Sequence, residues 1–443
     1  MKRFILEQSN TEFYTSHSGL SLVGLCLNRF TRLSKSLRTA IPLRHGIAHS
    51  DVVKSYLGQL CLGKSDFDAV ENVRADHYFK ESLGIGRVPS AARLRQRMDE
   101  NAEDLLPVMY ETGIEFLVQA KVPVSPLSMG YVALDIDVFP MDNSGTHKEG
   151  VSRTYKGMDG YAPIAAYLGE EGWCLACELR EGQQHCQKEF LYTLERVLPN
   201  ARKLTSKPLL VRLDSGHDAW ETREALARQG ADFILKWNPR RQDPLDWLAH
   251  AEALGDWETP REGKRVATFS VEETKTVGNQ TFCFRRVMRV VERTIDKHRQ
   301  TLLFPDIEIE GWWTTLDSAT HDDETIMALY RDHGTSEQFH SEFKTDLDIE
   351  RLPSGKFATN DLIMTLAAIS YNILRWIGLI SLTGELSPVR HRAKRRRLKT
   401  VIQELMYLAA RLISSGHRLT LRFSRHCPGF HAFQLAYNRL GYG

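Results

Sequence analysis

The chain has 443 residues, of which 42% are hydrophobic and 26% are charged, and its formal net charge is +2. This length is too great for one compact core, so we expect two or three domains, and the composition is that of a soluble globular protein. The small net charge excludes nucleic-acid binding through the overall field of the protein, so any such binding must depend on local basic patches.

The cysteines and the apolar segments indicate where the protein resides. The sequence has seven cysteines, and an odd number scattered along a long chain suits a reducing compartment. Polar residues follow the first six residues at once, which predicts that there is no secretory signal. Leu362 to Leu382 is apolar, but Asn372 and Arg375 interrupt it, so we expect a buried helix and no membrane span. We therefore predict a cytoplasmic protein.

The first 125 residues are predicted to be mainly helical. A helical pattern over Asp66 to Leu83 is followed by the breaking segment 84–89, after which Ser90 can cap a second helix. That second helix carries three arginines, Arg93, Arg95 and Arg97. A break before an arginine-bearing helix is typical of a helix-turn-helix, whose second helix reads the major groove of DNA. A plain helical hairpin with a solvated basic face fits the same pattern.

Residues 126–240 alternate between strand and helix patterns. The predicted strands are Tyr131 to Phe139, Pro163 to Leu168, Trp173 to Leu179, Pro208 to Leu213 and Asp232 to Lys236. The predicted helices are Gln187 to Val197 and Ala219 to Gln229. Three consecutive strands followed by strand and helix alternation are typical of an α/β fold with a ribonuclease-H-like core.

Two aspartates end strands of this region. Asp137 lies at the end of the first strand, and Asp214 ends the fourth strand just before a turn. Carboxylates at the carboxyl ends of neighbouring strands emerge at the sheet edge where open α/β folds place ligands, and a nearby helix can supply a third. Strand alternation puts Asp135 on the same face as Asp137. Asp137 lies nearer the carboxyl end and is our candidate ligand, while Asp135 is interpreted as a supporting group.

Residues 241–310 have a different pattern of apolar and polar residues from the region before them. Segments 265–272 and 281–292 alternate between apolar and polar residues, and a turn signal at residues 277–279 lies between them. We therefore predict an all-β insertion at 241–310. The second part of the core, residues 311–380, then begins with a strand at Gly311 to Leu316.

The stretch 330–344 carries the most specific local signal in the chain. Four polar side chains recur there at spacings of three, four and seven residues: Tyr330, His333, Glu337 and Lys344. At about 100° per residue they fall within roughly 60° of one another on one helix face. By spacing alone the pattern also fits an ordinary amphipathic helix with a polar face, and Gly334 lowers its helix propensity.

This spacing resembles the Tyr-Arg-Glu-Lys signature around the final acid of DDE transposases of bacterial insertion sequences, in particular the insertion-sequence 1380-like family. Segments 134–137 and 211–216 are similar to the blocks that carry the first and second aspartates of that family. The family also inserts an all-β domain between the second and third acids. This chain departs from the signature at His333, where an imidazole replaces an arginine that is always charged.

The resemblance implies a metal-dependent enzyme. Asp137, Asp214 and Glu337 would bind two Mg²⁺ ions, or Mn²⁺ in their place, and catalyse cleavage of the element ends and strand transfer. Tyr330, His333 and Lys344 would contact DNA near the scissile bond. A nuclease of the same fold that cuts without strand transfer is the alternative, and a repressor-like DNA-binding protein without catalysis is a third interpretation.

The resemblance also implies the partners of the protein. Double-stranded DNA, from the element ends and from the target, would be bound by a homodimer in the end complex, with no membrane involved. The amino-terminal region would bind the ends through its arginines. The C-terminal region, 381–443, is predicted to be helical and basic. Its densest cationic run would contact the DNA backbone: Lys394, Arg395, Arg396 and Arg397.

Overall fold

The structure is a computed structural model that describes residues 14–416 and 418–442. Its strands, numbered in chain order, are β1 (Tyr14–Thr15), β2 (Val132–Val138), β3 (Met141–Asp142), β4 (Ser152–Arg153), β5 (Asp159–Tyr161), β6 (Ile164–Leu168), β7 (Trp173–Glu178), β8 (Leu209–Leu213), β9 (Asp232–Lys236), β10 (Asp256–Arg261), β11 (Lys264–Val277), β12 (Gln280–Ile295), β13 (Thr301–Thr314), β14 (Ala410–Ser415) and β15 (Arg418–Phe423). Its helices are α1 (Leu20–Phe30), α2 (Leu33–Ala40), α3 (His49–Cys61), α4 (His77–Leu83), α5 (Ala91–Gln119), α6 (Phe190–Leu204), α7 (Trp220–Arg228), α8 (Pro244–Leu254), α9 (Asp323–Arg331), α10 (Ser336–Ser341), α11 (Phe357–Ser381), α12 (Leu398–Val401) and α13 (Phe430–Tyr442).

Nine strands form one sheet in the order β10-β11-β12-β13-β9-β8-β2-β6-β7. Strands β2, β6 and β7 pair antiparallel, whereas β8 lies parallel to both β2 and β9. The first five residues of β2 are buried, as expected for a central strand covered on both faces. Because β2 and β8 are neighbours and run in the same direction, their carboxyl ends lie at the same edge of the sheet.

The core strands confirm the sequence predictions to within one or two residues. The helix predicted to end at Val197 instead continues to Leu204, with Pro199 inside it. The apolar spacing of its buried residues, among them Leu194, Leu198 and Ala201, continues past the proline. Packing of that face on the sheet therefore outweighs the single proline.

The block 241–310 differs from the prediction in two ways. It contains helix α8, so the expectation of an all-β insertion is wrong. Asp243 caps this helix by accepting a hydrogen bond from the backbone N–H of Leu245 at 2.9 Å, with Pro244 at its first position, a start signal typical of helices. The block also continues the core sheet, because β13 pairs with β9.

The stretch around Glu337 is not one α-helix, so the prediction of a single helix face is wrong. Helix α9 leads into a 3₁₀-helical turn at Asp332–Thr335, then α10, then a π-helical turn at Glu342–Asp346. A 3₁₀ turn has three residues per turn and shifts the phase of the side chains that follow. As a result His333 is buried while Glu337 is exposed.

The terminal regions depart in part from the expected patterns, which were mainly helical before residue 126 and helical after residue 380. The predicted helix over residues 66–83 is a 3₁₀ turn at Phe67–Asn72 followed by α4. The predicted break is present, and Ser90 caps α5 by accepting from the N–H of Arg93. The C-terminal region contains β14 and β15, which form a three-stranded sheet with β1.

One continuous hydrophobic cluster joins buried side chains from all five predicted regions. Helix α11 belongs to this cluster and contacts α3, α5, α12, α13 and β7. It is long and apolar enough by composition to cross a membrane, but 89% of its most apolar window is buried inside the protein. Its hydrophobic residues are therefore accounted for by the protein core.

Candidate active site

The two aspartates occupy the positions that the strand pattern predicted. Asp137 is the second-last residue of β2, and its side chain is 22% exposed. Asp214 follows β8 and caps the 3₁₀ turn Ser215–His217, because its Oδ1 accepts from the backbone N–H of Gly216 at 3.2 Å. Both carboxylates therefore emerge where the parallel strands β2 and β8 end.

The charges of these acids act on one another. Burial, together with the negative charge of Asp214, raises the pKa of Asp137 to about 6. Burial also raises the pKa of Asp214. Neighbouring carboxylates in a partly dry site disfavour each other's charged form. Asp137 and Asp214 therefore lack enough nearby positive charge to stabilise the ionised form of both carboxyl groups.

The third acid lies in the same electrostatic environment. Glu337 is exposed on α10. The hydroxyl of Tyr155 lies 3.5 Å from the carbonyl oxygen of Val138, and the pKa of this phenol is raised to about 12. Partial burial of the hydroxyl contributes most to that shift, followed by Asp137 and Asp214, with a further contribution from Glu337. One hydroxyl group thus senses the charges of all three acids.

Two buried histidines lie beside the aspartates. Nδ1 of His340 is 3.9 Å from Oδ2 of Asp137, and Nε2 of His217 is 3.8 Å from Oδ1 of Asp214. Burial lowers the pKa of both histidines to about 3, so the rings are neutral and do not offset the acids. The sequence analysis missed them, although each follows a candidate acid, Asp214 or Glu337, by three residues.

Asp135 is fully engaged by other side chains. Nε and Nη2 of Arg212 donate to its two oxygens at 2.6 and 2.7 Å, and Nδ1 of His333 lies 3.0 Å from Oδ1. Burial opposes ionisation, but the charge of Arg212 and the contacts with His333 outweigh it and lower the pKa of Asp135. Of the two aspartates on β2, only Asp137 is left with its carboxylate open to a metal ion.

His333 is not exposed on the helix face predicted for it. Its side chain is buried, and its partner is Asp135. Burial disfavours its protonation, but the hydrogen bond and charge of Asp135 outweigh that effect and raise its pKa. In this structure the ring is turned inward at the 3₁₀ turn, and its contact with a DNA phosphate stays a prediction.

We predict a pH dependence of stability from this contact. Because the pKa of His333 is raised in the folded protein, its contribution is complete below the ordinary histidine value near 6.5 and is lost as pH rises through the folded value. His333→Asn should flatten this part of the stability curve, measured by denaturant unfolding from pH 6 upward. His333→Arg should overfill the site and cost about 1 to 3 kcal/mol. An arginine variant as stable as the wild type would contradict the inward position.

Tyr330 and Lys344 do not share one helix face, because Tyr330 lies in α9 and Lys344 lies in the π-helical turn after α10. Burial raises the pKa of the Tyr330 phenol, and the charges of Asp214 and Asp137 raise it further. Nζ of Lys344 donates to the carbonyl oxygen of Pro140 at 3.3 Å and lies 3.5 Å from a carboxylate oxygen of Glu350. Their contact with DNA stays a prediction.

The residues of the cationic run 394–397 all have protein partners, but they differ in exposure: Lys394 and Arg397 are exposed, Arg395 is half-buried and Arg396 is buried. The Lys394 side chain is 87% exposed and pairs with Glu170 at 3.2 Å. Arg396 is buried and donates to the carbonyl oxygens of Leu382 and His391, each at 2.7 Å. These bonds engage Arg396 within the protein, and its contact with DNA stays a prediction.

The arginines on either side of Arg396 hold the segment that follows Glu337. Arg395 donates to Glu342 at 2.7 Å and to Gln338 at 2.8 Å. Arg397 pairs with Asp346 at 2.8 Å. Glu342 and Asp346 are both buried, and buried carboxylates require charged partners. These guanidinium groups thus fix the π-helical turn behind α10.

We expect Lys394→Gln and Arg396→Gln to behave differently. Lys394→Gln should weaken DNA binding across sequences and reduce the salt slope, because an exposed cation releases counterions on contact with phosphate. Arg396→Gln should leave the salt slope unchanged and cost about 1 to 3 kcal/mol of folding free energy through unsatisfied buried carbonyls. DNA titrations at several salt concentrations measure the salt slope of each variant, and urea unfolding measures its folding free energy. Equal salt slopes in wild type and Lys394→Gln would contradict the backbone contact.

The three arginines of α5 also differ in their surroundings. Arg93 is exposed and donates to Gln96 at 2.9 Å, and Arg95 is exposed with its guanidinium 5.4 Å from the ring centroid of Phe67. Nη2 of Arg97 lies 3.4 Å from the carbonyl oxygen of Ile47. Arg93 and Arg95 can reach a bound molecule, whereas Arg97 is tied to the preceding loop.

The acids fit a magnesium site by their chemistry. Among residues 14–416 and 418–442, no three His, Cys, Asp or Glu side chains lie close enough together to hold one metal ion. Mg²⁺ is usually bound through one or two carboxylates, with water and substrate phosphates as the other ligands. A cation beside Asp137 and Asp214 would also favour the ionised form of both carboxyls, which burial disfavours.

Comparison with known proteins shows the family of the chain. The family described as "Transposase DDE domain group 1" matches residues 5–442. No curated protein matches the chain. Among solved structures, the chain is similar to the piggyBac transposase synaptic complex with hairpin DNA, with a TM-score of 0.40 and 10% identity over 87% of this chain and 80% of that one. Because the family match spans almost the whole sequence, the chain belongs to the DDE transposases.

Proposed function

We propose that this transposase binds the terminal inverted repeats of a mobile element, cleaves the element ends and joins the freed 3′ hydroxyls to target DNA. The observation that carries the proposal is the Asp137 and Asp214 pair at the ends of adjacent parallel strands. Burial and the charge of Asp214 raise the pKa of Asp137 to about 6, and strongly shifted pKa values in a cleft are typical of functional sites. Membership of the family supports DNA as the substrate.

The fold supports the same proposal. Three consecutive antiparallel strands, β2, β6 and β7, precede the parallel strands β8 and β9. Helix α6 lies between β7 and β8 in the chain, and α7 lies between β8 and β9. This arrangement supports a ribonuclease-H-like core with the catalytic acids at one sheet edge.

Asp137, Asp214 and Glu337 would hold two Mg²⁺ ions, or Mn²⁺. When bound, such ions promote ionisation of an attacking water or 3′ hydroxyl and offset charge on the leaving oxygen. The side chains of the protein itself must hold these acids in position. The Arg212 and His333 contacts of Asp135 fix the strand from which Asp137 projects, and the guanidinium of Arg395 fixes the helix that carries Glu337.

Incubation of the purified protein with element-end DNA and Mg²⁺ tests the proposal. Nicking at the element end followed by joining to a target duplex supports the transposase. Nicking without joining supports the alternative nuclease, and specific binding without nicking supports the repressor-like interpretation. An insertion-sequence 1380-like origin, a bacterial cytoplasmic location and a homodimer in the end complex stay predictions.

A further inference from the structure

The short helix that carries Glu337 also carries a buried histidine. Helix α10 has six residues and lies between the 3₁₀ turn and the π-helical turn. A helix this short is not stable by itself in water, so contacts with the rest of the protein must fix its orientation. His340 follows Glu337 by three residues and is 6% exposed. Residues three apart are neighbours on a helix surface, so a contact made by His340 bears directly on the position of Glu337.

The ring of His340 packs on the residue that follows β2. Its centroid lies 4.4 Å from that of Phe139, and the two ring planes are 21° apart, which is a stacked arrangement. Phe139 is 3% exposed, and its backbone N–H donates to the carbonyl oxygen of Pro163 at 3.0 Å. Packing between rings is favourable and has a defined geometry. The stack therefore sets α10 at a defined place beside the carboxyl end of β2.

The same ring lies beside the carboxylate of Asp137. Nδ1 of His340 is 3.9 Å from Oδ2 of Asp137. The other carboxylate oxygen, Oδ1, accepts from the backbone N–H of Val138 at 2.7 Å. One oxygen of Asp137 is thus tied to the backbone of its own strand, and His340 lies beside the other.

The chemistry of this pair decides which ring nitrogen carries the proton. An ionised carboxylate only accepts hydrogen bonds, so Nδ1 can bond to Asp137 only as an N–H donor. Nε2, the second ring nitrogen, is buried and has no hydrogen-bond partner among the described residues. A proton on Nε2 would leave a buried N–H unsatisfied, which is costly. The tautomer with the proton on Nδ1 is therefore favoured, because its N–H has an acceptor nearby.

The separation of Nδ1 and Oδ2 suits a bond that forms when the site is loaded. At 3.9 Å it is longer than a hydrogen bond, and a shift of about 1 Å would close it. Hydrogen bonds of catalytic groups are often long in a free enzyme and shorten in the complex. Carboxylates that bind metal ions are themselves hydrogen-bonded by supporting groups, which orient them. His340 is placed to be such a group for Asp137.

We propose that His340 is a positioning residue: its Nδ1–H donates to Oδ2 of Asp137 when the site holds its cation, and this bond joins the first acid to the helix that carries the third. The inference rests on the proposed function, because it requires a cation at Asp137. His340 orients the carboxylate of Asp137 and sets the position of Glu337 relative to it.

Binding of Mn²⁺ to the full-length protein without DNA, followed by electron paramagnetic resonance, tests the bond. His340→Phe keeps a ring on Phe139 but has no N–H, so Mn²⁺ affinity should fall by roughly 10- to 100-fold. His340→Asn loses the ring, but its amide N–H can take the place of Nδ1–H, so most of the affinity should return. A role of His340 in packing alone predicts the opposite order of affinities and would overturn the bond.

The matched control is His321, a second buried histidine, which lies in the segment before α9. It is 8% exposed, its Nδ1 is 2.8 Å from the hydroxyl oxygen of Thr320, and its ring meets that of Tyr131 edge-on. His321→Phe makes the same chemical change and should leave Mn²⁺ affinity unchanged. An equal loss of affinity in His321→Phe and His340→Phe would overturn the bond. His340→Leu takes the place of His340→Phe if urea unfolding shows that the phenylalanine variant does not fold.

Hydrogen exchange of α10, measured by mass spectrometry, tests the link to the third acid. In Glu337→Gln the third acid no longer attracts the cation, so an effect of Mn²⁺ on α10 should pass through His340. Saturating Mn²⁺ should slow amide exchange of residues 336–341 in Glu337→Gln but not in Glu337→Gln/His340→Phe. Equal slowing in both proteins would overturn the link between Asp137 and α10.

Failure of the proposed function gives a different result. If the wild type bound Mn²⁺ but never cleaved DNA, the transposase proposal would be rejected, whereas the order of Mn²⁺ affinities in the His340 variants would still support or overturn the positioning role. If the wild type and Asp137→Asn bound Mn²⁺ equally, Asp137 would not be a ligand, and the role of His340 would be rejected with it.

Discussion

Asp137→Asn, Asp214→Asn and Glu337→Gln should each reduce metal-dependent cleavage by roughly 10³-fold or more while leaving end binding largely intact. Each change removes a ligand charge with almost no change of volume, and loss of a direct ligand should exceed the roughly 10- to 100-fold loss typical of supporting residues. Single-turnover cleavage of labelled end DNA measures the rate.

The matched control is Asp332→Asn, an exposed acid in the 3₁₀ turn before α10. This variant loses the same charge, but Asp332 does not lie at the carboxyl end of β2 or β8, so cleavage should stay near the wild-type rate. Wild-type cleavage by any of the three variants at the candidate acids would remove that residue from the site.

Asp137→Asn should also stabilise the metal-free protein at neutral pH. The folded pKa of Asp137, about 6, is raised from its ordinary value of 3.8. The contribution of this carboxyl is complete below the ordinary value and is lost as pH rises through about 6. At pH 8 the variant should therefore gain at most about 3 kcal/mol, at 1.36 kcal/mol per pKa unit. At pH 4, close to the ordinary value, the difference should fall to about 0.5 kcal/mol.

Urea unfolding at the two pH values, with and without Mg²⁺, measures this effect. Mg²⁺ should stabilise the wild type, because it binds the folded state, and should stabilise Asp137→Asn much less. Equal stability of both proteins at pH 8, with equal gains from Mg²⁺, would show that Asp137 and Asp214 do not share a cation site.

Asp135→Leu should destabilise the fold by about 3 to 5 kcal/mol. The substitution leaves Arg212 with an uncompensated charge in the interior, and removal of one partner of a buried ion pair costs about this much. Both side chains are almost fully buried, at 4% exposure for Arg212 and 6% for Asp135. Chemical unfolding at constant pH measures the loss.

The double variant Asp135→Leu/Arg212→Met separates folding from catalysis. An apolar pair of similar volume removes the unpaired charge, so the double variant should be more stable than Asp135→Leu alone. If Asp135 acts only by fixing the position of β2, the loss of cleavage in these variants should be in proportion to their loss of stability. A fully stable Asp135→Asn protein with no cleavage would instead make Asp135 a ligand.

The sequence by itself determined the elements of the core and the places of the candidate acids. Apolar alternation and turn residues are local properties, and they located β2, β8 and β9 to within a residue or two. Because a carboxylate at a strand end must emerge at a sheet edge, Asp137 and Asp214 could be predicted before any pairing was known. The breaking segment 84–89 and the Ser90 cap were local signals too.

Only the tertiary structure decided which polar side chains point inward. Asp135 meets Arg212 across 77 residues of sequence and His333 across 198, and no local period encodes such pairings. The 3₁₀ turn before Glu337 changed the side-chain phase and turned His333 away from solvent. Buried carboxylates and carbonyl groups engaged the arginines at 395–397, because charges and polar groups out of water require partners. Function in this region therefore depends on contacts that sequence spacing alone could not reveal.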